Sequence, residues 1–415
     1  MRTHDPRQLI EDVRNHLAAR DRRLSFLFGA GTSSAINVAP VPLAGEKRKY
    51  EPLIPAIAGL TEICRIAVSG MGKDQAAAWD ILTIQCLNGR ATANVDNLLT
   101  RLRLKIDAIG EGEALLRLRH KELCAIEKTI CTAMAKAVGP AEERIPAKTP
   151  HDEFASWVKK AKRAVPIEVF TTNYDILFER ALESARVPVF DGFVGAHHPF
   201  FYPECLEDEE LLPASNWIRL WKLHGSVNWL IEDRGKGKRI VRDRPRDSGE
   251  LILPSLRKYG ESRKQPYVAY MDRLSRILSS EHALLFTCGY SFGDEHINAI
   301  IYGALDNRCA ANVIVLRFDD LNEKEELVEA ALRRTNLTLI GPNGGVISGV
   351  WGLWQLTQPV DSKTCSFMDT GFDSNALPED KGSPAAASDD LRGRVRLGDF
   401  NWFCRFINAM GPDVQ

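Results

Sequence analysis

Residues 24–28, LSFLF, form a short apolar run that stops at Gly29-Ala30-Gly31 and passes into Thr32, Ser33 and Ser34. A run of this length closed by glycines predicts a buried strand and a sharp turn. The hydroxyl residues predict the cap of a following helix, whose first N–H groups suit an anion. From 46 to 165 the apolar positions recur at three- and four-residue spacing. ANVDNLLTRLRLKIDAI follows this rule behind Asn94, EALLRLRHKELCAIEKTICTAMAKAV keeps it over several turns, and TPHDEFASWVKKAKRA starts behind Thr-Pro. The pattern predicts an all-helical block set between two strands.

From 166 onward strand-like and helix-like segments alternate. IEVFTTN, IRLWKLHG, ELILPS, ALLFTCGYS, NVIVLRF and LTLIG read as strands. YDILFERALESA, YVAYMDRLSRILSS, DEHINAIIYGALDN and EKEELVEAALRR read as helices. This alternation predicts an α/β fold, a Rossmann-like parallel sheet with helices on both faces. Residues 1–45 and 166–345 are expected to build that core and 46–165 the helical insert. Residues 346–415 are expected to form a linker and a short C-terminal extension. Residues 359–393 are polar, acidic and rich in Ser, Pro and Ala, as a flexible linker is. The aromatic RVRLGDFNWFCRFINAM beyond them predicts a piece that docks on its own core, a sister subunit or a separate partner.

Composition narrows the function. The 415 residues carry a formal net charge of -1, so no global basic field points to nucleic acid, and direct nucleic-acid binding is not expected. The basic stretch DRGKGKRIVRDRPRD alternates in sign, as a solvated loop or hairpin does. The chain opens on an amphipathic helical pattern, and no apolar run approaches the ~18 residues of a membrane span. The nine cysteines are scattered without a CxxC pair, which predicts free thiols in a cytoplasmic protein and no metal site.

Four polar clusters each follow a strand-like run: GAGTSS, TTNYD (171–175), KLHGS (222–226) and GYSFGDEHIN (289–298). A parallel sheet gathers such clusters along one edge. Read locally, Asn173 and Asp175 are caps of the helix that follows, and His224 is a turn residue before a glycine. Ser291 is an ordinary cap, Asp294 and His296 are helix-start residues, and His197 and His198 are loop residues with no carboxylate or cysteine near them in sequence.

Taken in order, however, the four clusters resemble the sirtuin superfamily over about residues 20–345. The resemblance implies that Gly29, Ala30, Gly31 and Ser33 hold the pyrophosphate of NAD+. It implies that Asn173 and His224 flank the nicotinamide ribose as the catalytic pair. Asp175 would lie near the nicotinamide amide, Thr172 would also be cofactor-binding, and Gly289 and Ser291 would lie near the adenosine ribose. Protein deacylases of the superfamily carry a four-cysteine zinc module and Thr-Gln-Asn-Ile-Asp. Here the module is missing and Thr172 replaces the glutamine. TTNYD, KLHGSVNW, GYSFGDEHIN and NVDNLL instead resemble bacterial sirtuin-like NADases of antiphage defence, most like the sirtuin-like partners of HerA-type ATPases. That resemblance implies a homo-oligomer that cleaves NAD+ as substrate without a metal and depletes it in abortive infection, beside a HerA-type ATPase. The rival readings are a protein deacylase or ADP-ribosyltransferase, and a module that binds NAD+ or ADP-ribose without turnover.

Overall fold

The computed structural model describes residues 2–40, 49–87, 93–110, 112–140, 142–233, 238–244, 266–307, 311–358, 366–374, 376 and 391–410. The expected strand ELILPS and most of the 359–393 linker lie outside the described residues. The chain is an α/β protein built on one large, mostly parallel sheet. Its parallel stretch runs, in spatial order, Leu337–Ile340, Asn312–Leu316, Leu284–Cys288, Leu24–Phe28, Glu168–Thr171, Ile218–Lys222 and Val189–Phe190. Gly344–Ile347 and Val350–Trp354 extend it antiparallel, and Thr3–His4 closes that edge.

Alternate side chains of the strands feed two apolar cores. On one face Phe26, Phe28, Val169, Leu220, Phe286 and Leu316 meet the helices Pro6–Ala18, Pro150–Lys160 and Leu177–Ser184. On the other, Leu27, Phe170, Trp221, Leu285 and Val315 meet the helices Tyr267–Leu278, Glu295–Asn307 and Glu326–Leu332. Burial on both faces explains why the strands read as largely apolar runs. A small antiparallel sheet was not foreseen. It joins Phe193–Val194, Phe200–Phe201, Trp229–Asp233 and Lys238–Arg242, and its last two strands are the hairpin form of the basic stretch.

The helices Ile57–Ser69, Lys73–Leu87, Val95–Ala108 and His120–Val138 enclose a third core of their own. Tyr174, Leu177 and Val227 belong to it, so this block is packed directly against two of the strand-end turns. Helix Pro150–Lys160, grouped by its pattern with the block, packs on the sheet instead.

The C-terminal helix Phe400–Ala409 also packs on the sheet, through Phe400, Phe403, Cys404, Phe406 and Ile407. Phe403 lies 6.3 Å from Phe26 and 6.5 Å from Phe286, and Phe400 lies 5.3 Å from Phe28, centroid to centroid. Of the three surfaces this segment was expected to meet, the structure places it on its own core.

His151 sits inside that contact, 1% exposed, 4.5 Å from Phe178 and 5.1 Å from Phe400. Neither ring nitrogen has a hydrogen-bond partner. Burial therefore drives its pKa down to about 3 from the ordinary histidine value of 6.5. Between those values the unfolded chain binds a proton that the folded chain refuses. Stability is thus complete above the ordinary value and falls as pH drops through the window. Wild type is expected to lose roughly 2 kcal/mol between pH 7.5 and pH 5 from this group alone. His151→Phe is expected to remove that loss, read as the pH dependence of Tm in the two proteins.

Candidate active site

The parallel register aligns the strand ends. Phe28 pairs with Thr171 and with Cys288, and Thr171 pairs with Lys222. One step beyond, the chain turns at Gly29, Thr172, Leu223 and Gly289, so all four polar clusters open on one edge. The strand order also reverses here. From Leu24–Phe28 the chain builds outward through Glu168–Thr171, then returns on the other side as Leu284–Cys288. The crevice at such a reversal, beyond the carboxyl ends of the strands, is where open α/β sheets bind ligands.

Glycine is required here because two backbones touch. A Cβ on Gly31 would lie 2.5 Å from the Gly289 Cα, and one on Gly29 2.4 Å from the Gly289 oxygen. Gly289 itself has φ +66°, where a side chain costs roughly 1 kcal/mol or more. The Gly31 N–H donates to Gly289 O at 2.9 Å and the Gly29 N–H to Cys288 O at 3.1 Å. These two amides are therefore engaged with the neighbouring turn. The helix after the turn starts at once, Ala30–Ser34.

Behind the turn lies a buried, directional hydrogen-bond chain. Ser33 Oγ donates to Asp175 Oδ2 at 2.6 Å, and Thr32 Oγ1 donates to Gly29 O at 2.9 Å. Both hydroxyls therefore act as acceptors toward Asn173, whose Nδ2 donates to them at 2.8 and 3.0 Å. This fixes the orientation of the Asn173 amide. Its Oδ1 is buried and without a partner. A buried acceptor left unpaired costs about 1–3 kcal/mol, the kind of group a ligand hydroxyl or water satisfies. Asp175 is occupied differently. Its Oδ2 accepts from Ser33 and its Oδ1 from the Leu177 N–H at 3.1 Å, so it fastens the Gly turn to the next helix. Ser33 and Asp175, both expected on the cofactor, are thus joined to each other in this structure. Lys222 lies beneath them, its Nζ donating to Glu179 Oε1 at 2.9 Å and to the Asp175 carbonyl.

His224 follows strand Ile218–Lys222, in a turn where Gly225 has φ +96°. Its side chain is 16% exposed, and Nε2 lies 2.9 Å from Asp294 Oδ2. The other Asp294 oxygen accepts from the N–H groups of His296 and Ile297, the cap expected of it. Burial opposes ionisation of Asp294, but His224 and those two N–H groups prevail and hold its carboxyl below the usual range. An ionised carboxylate only accepts. Nε2 therefore carries the hydrogen it donates, and Nδ1 is the basic nitrogen of the neutral ring. The pairing of Asp294 with His224 was missed in the sequence because the capping role alone accounts for an aspartate at that place.

Of the remaining expected residues, Ala30 and Thr172 are half-buried at the edge, and the Thr172 N–H donates to Phe28 O at 3.0 Å. Ser291 is exposed, just before Phe292 at φ +58°. Other letters of GYSFGDEHIN are scaffold: Tyr290 donates to Asn298 Oδ1 at 2.9 Å, and Asn298 Nδ2 donates to Phe292 O at 2.7 Å. His198 does have a carboxylate beside it, Glu232 at 2.7 Å, which the fold brings from a distant strand. Cys64 and Cys205 are pushed by burial up to about 12, where they are inert thiols. Among the described residues no three His, Cys, Asp or Glu side chains are grouped to hold a metal ion. Among them, too, no helix is long and apolar enough to cross a membrane.

No curated protein matches the chain. Residues 167–340, which take in Asn173, His224 and Gly289 and leave out the Gly29–Gly31 turn that the sheet brings back beside them, match the family model of the SIR2-like domain, a domain of NAD+-using enzymes.

Proposed function

We propose that this protein is an NAD+ glycohydrolase, cleaving the nicotinamide–ribose bond to give nicotinamide and ADP-ribose. The observation that carries the reading is the oriented Asn173 amide, whose buried, unpaired Oδ1 lies in the turn next to that of a histidine held by a carboxylate, the two turns following paired strands. In this reaction the C–N bond breaks and nicotinamide leaves with the bonding electrons as a neutral molecule. A water oxygen bonds to the ribose carbon, and the proton it sheds goes to His224 Nδ1. Asn173 Oδ1 accepts a hydrogen bond from water or a ribose hydroxyl and so fixes the nucleophile's direction. The Asp294 carboxylate holds the His224 ring and favours the imidazolium that forms. The Gly29–Gly31 turn and Gly289 are the backbone approach to the dinucleotide, supported by their place at the reversal of strand order. A role in antiphage defence, a homo-oligomer and a HerA-type ATPase partner belong to the same reading. They are supported by the likeness of TTNYD, KLHGSVNW and GYSFGDEHIN to proteins of that kind.

The test is incubation of the full chain with NAD+, alone and with a HerA-type ATPase, with products identified by mass. Nicotinamide and ADP-ribose in equal amounts, formed without any acylated peptide, are expected. Strict dependence on an acyl-lysine substrate favours a deacylase, and binding without product favours a non-catalytic module.

A further inference from the structure

We infer that Asp96, carried by the helical block, is a positioning residue of this site, setting the charge around His224 and holding the turn that bears Asn173. The inference rests on the glycohydrolase reading and adds to it a residue from outside the sheet. Asp96 lies in the first turn of helix Val95–Ala108, behind the Asn94 cap that accepts from the Asn97 N–H at 3.0 Å. Tyr174, between Asn173 and Asp175, directs its hydroxyl to Asp96 Oδ1 at 3.4 Å. The Tyr174 ring is also 6.3 Å from the His224 ring, centroid to centroid. The Tyr174 carbonyl accepts from the Val227 N–H at 2.9 Å and from Ser226 Oγ at 3.3 Å, which locks the two catalytic turns together. One aromatic residue is thus held by the insert on one side and by the His224 loop on the other.

Burial, then the charge of Asp96, pushes the Tyr174 phenol well above its usual range, so it is a donor. Burial also raises the Asp96 carboxyl, against the charge of His224 and the Tyr174 hydrogen bond, while Asp294 adds repulsion. His224 therefore stands in the field of two acidic groups: Asp294, bonded to it, and Asp96, across Tyr174. Tyr267 and Arg103, the latter further along the Asp96 helix, also act electrostatically on Tyr174. The second acid favours the imidazolium and the positive charge that grows on the ribose as nicotinamide departs.

The experiment compares full-length wild type with Asp96→Asn, Asp96→Glu and His224→Ala. Asp96→Asn is expected to lower kcat about tenfold with KM for NAD+ within about twofold. The acid limb of its pH–rate profile is expected to move down by about half a unit or more, because the lost charge no longer favours the protonated base. Asp96→Glu is expected to restore most of kcat. Without substrate, the imidazole resonances of His224 are expected to move in Asp96→Asn at fixed pH. Should the Asn protein fail to fold, Asp96→Ser, at home in a first helical turn, carries the same measurements. Wild-type kcat, acid limb and imidazole resonances in Asp96→Asn, with His224→Ala inactive, overturn this inference alone. No NAD+ cleavage by wild type overturns the glycohydrolase reading beneath it, and wild-type turnover in His224→Ala removes His224 as its base.

Discussion

Deletion of residues 391–415 is expected to leave an aggregating chain that neither folds nor binds NAD+. The helix Phe400–Ala409 and the segment before it place Leu397, Phe400, Phe403, Phe406 and Ile407 in the sheet's core, each no more than 2% exposed. Side chains of this kind contribute roughly 1.5–3 kcal/mol each when fully buried. Together they supply about 10 kcal/mol, the same order as the ~5–15 kcal/mol that separates a typical folded domain from its unfolded chain. The loss also reaches the site. Asn401 Nδ2 donates to Ala35 O at 3.0 Å, just after the Gly turn's helix, and the thiol of Cys288, which precedes Gly289, donates to Gly398 O at 3.8 Å. Circular dichroism and size exclusion of the truncated protein check the result. A soluble truncated core that binds NAD+ would restore the idea of a detachable docking segment. A milder variant, Phe403→Ala, is expected to cost about 3–5 kcal/mol through the cavity it opens beside Phe26 and Phe286.

The strands were legible because a sheet buried on both faces needs mostly apolar residues, and Leu24–Phe28 and Leu284–Cys288 supply them with a single hydroxyl residue each, Ser25 and Thr287. The polar clusters were legible for a related reason: parallel strands send their following turns to one edge, whatever lies between them in the chain. The C-terminal helix was harder. Its apolar stripe, Phe400, Phe403, Phe406 and Ile407, is plain, but periodicity says only that a face is covered, not by what. Trp229–Asp233 and Lys238–Arg242 pair with each other locally, but the small sheet they join depends on a strand far off in sequence at Phe200–Phe201. At the site, single residues carry two roles, and sequence shows the commoner one. Asp294 is a helix cap and also the partner of His224. Ser33 and Asp175 were expected to face a ligand, yet a hydroxyl and a carboxylate on neighbouring turns also satisfy each other. Asp96 lies 128 positions before His224 in the chain, and only the packing of Tyr174 into the helical block connects them.

His224→Ala and Asn173→Ala are each expected to reduce kcat/KM for NAD+ cleavage by about 10²–10⁴-fold, the usual contribution of a positioned base or a fixed nucleophile. The two losses have different physical origins and leave different traces. Without the imidazole the base proposed for the reaction is lost, so kcat is expected to fall while the hydrogen-bond chain from Thr32 and Ser33 through Asn173 stays intact and NAD+ still binds. Asn173→Ala removes the unpaired Oδ1 and also the Nδ2 donor to Thr32 and Ser33. Binding is therefore expected to weaken together with turnover. Asn173→Asp separates the two functions. It keeps an oxygen acceptor but sets a carboxylate against Ser33, whose own proton already goes to Asp175. Two anions sharing one hydroxyl in a buried space disfavour each other, so this variant is expected to be inactive near neutrality and to melt earlier than Asn173→Ala. Steady-state kinetics, NAD+ titration and melting curves of the three proteins check the series. Full turnover in His224→Ala would remove the base from the mechanism. Unchanged binding and turnover in Asn173→Ala would mean that the orphaned oxygen faces no substrate.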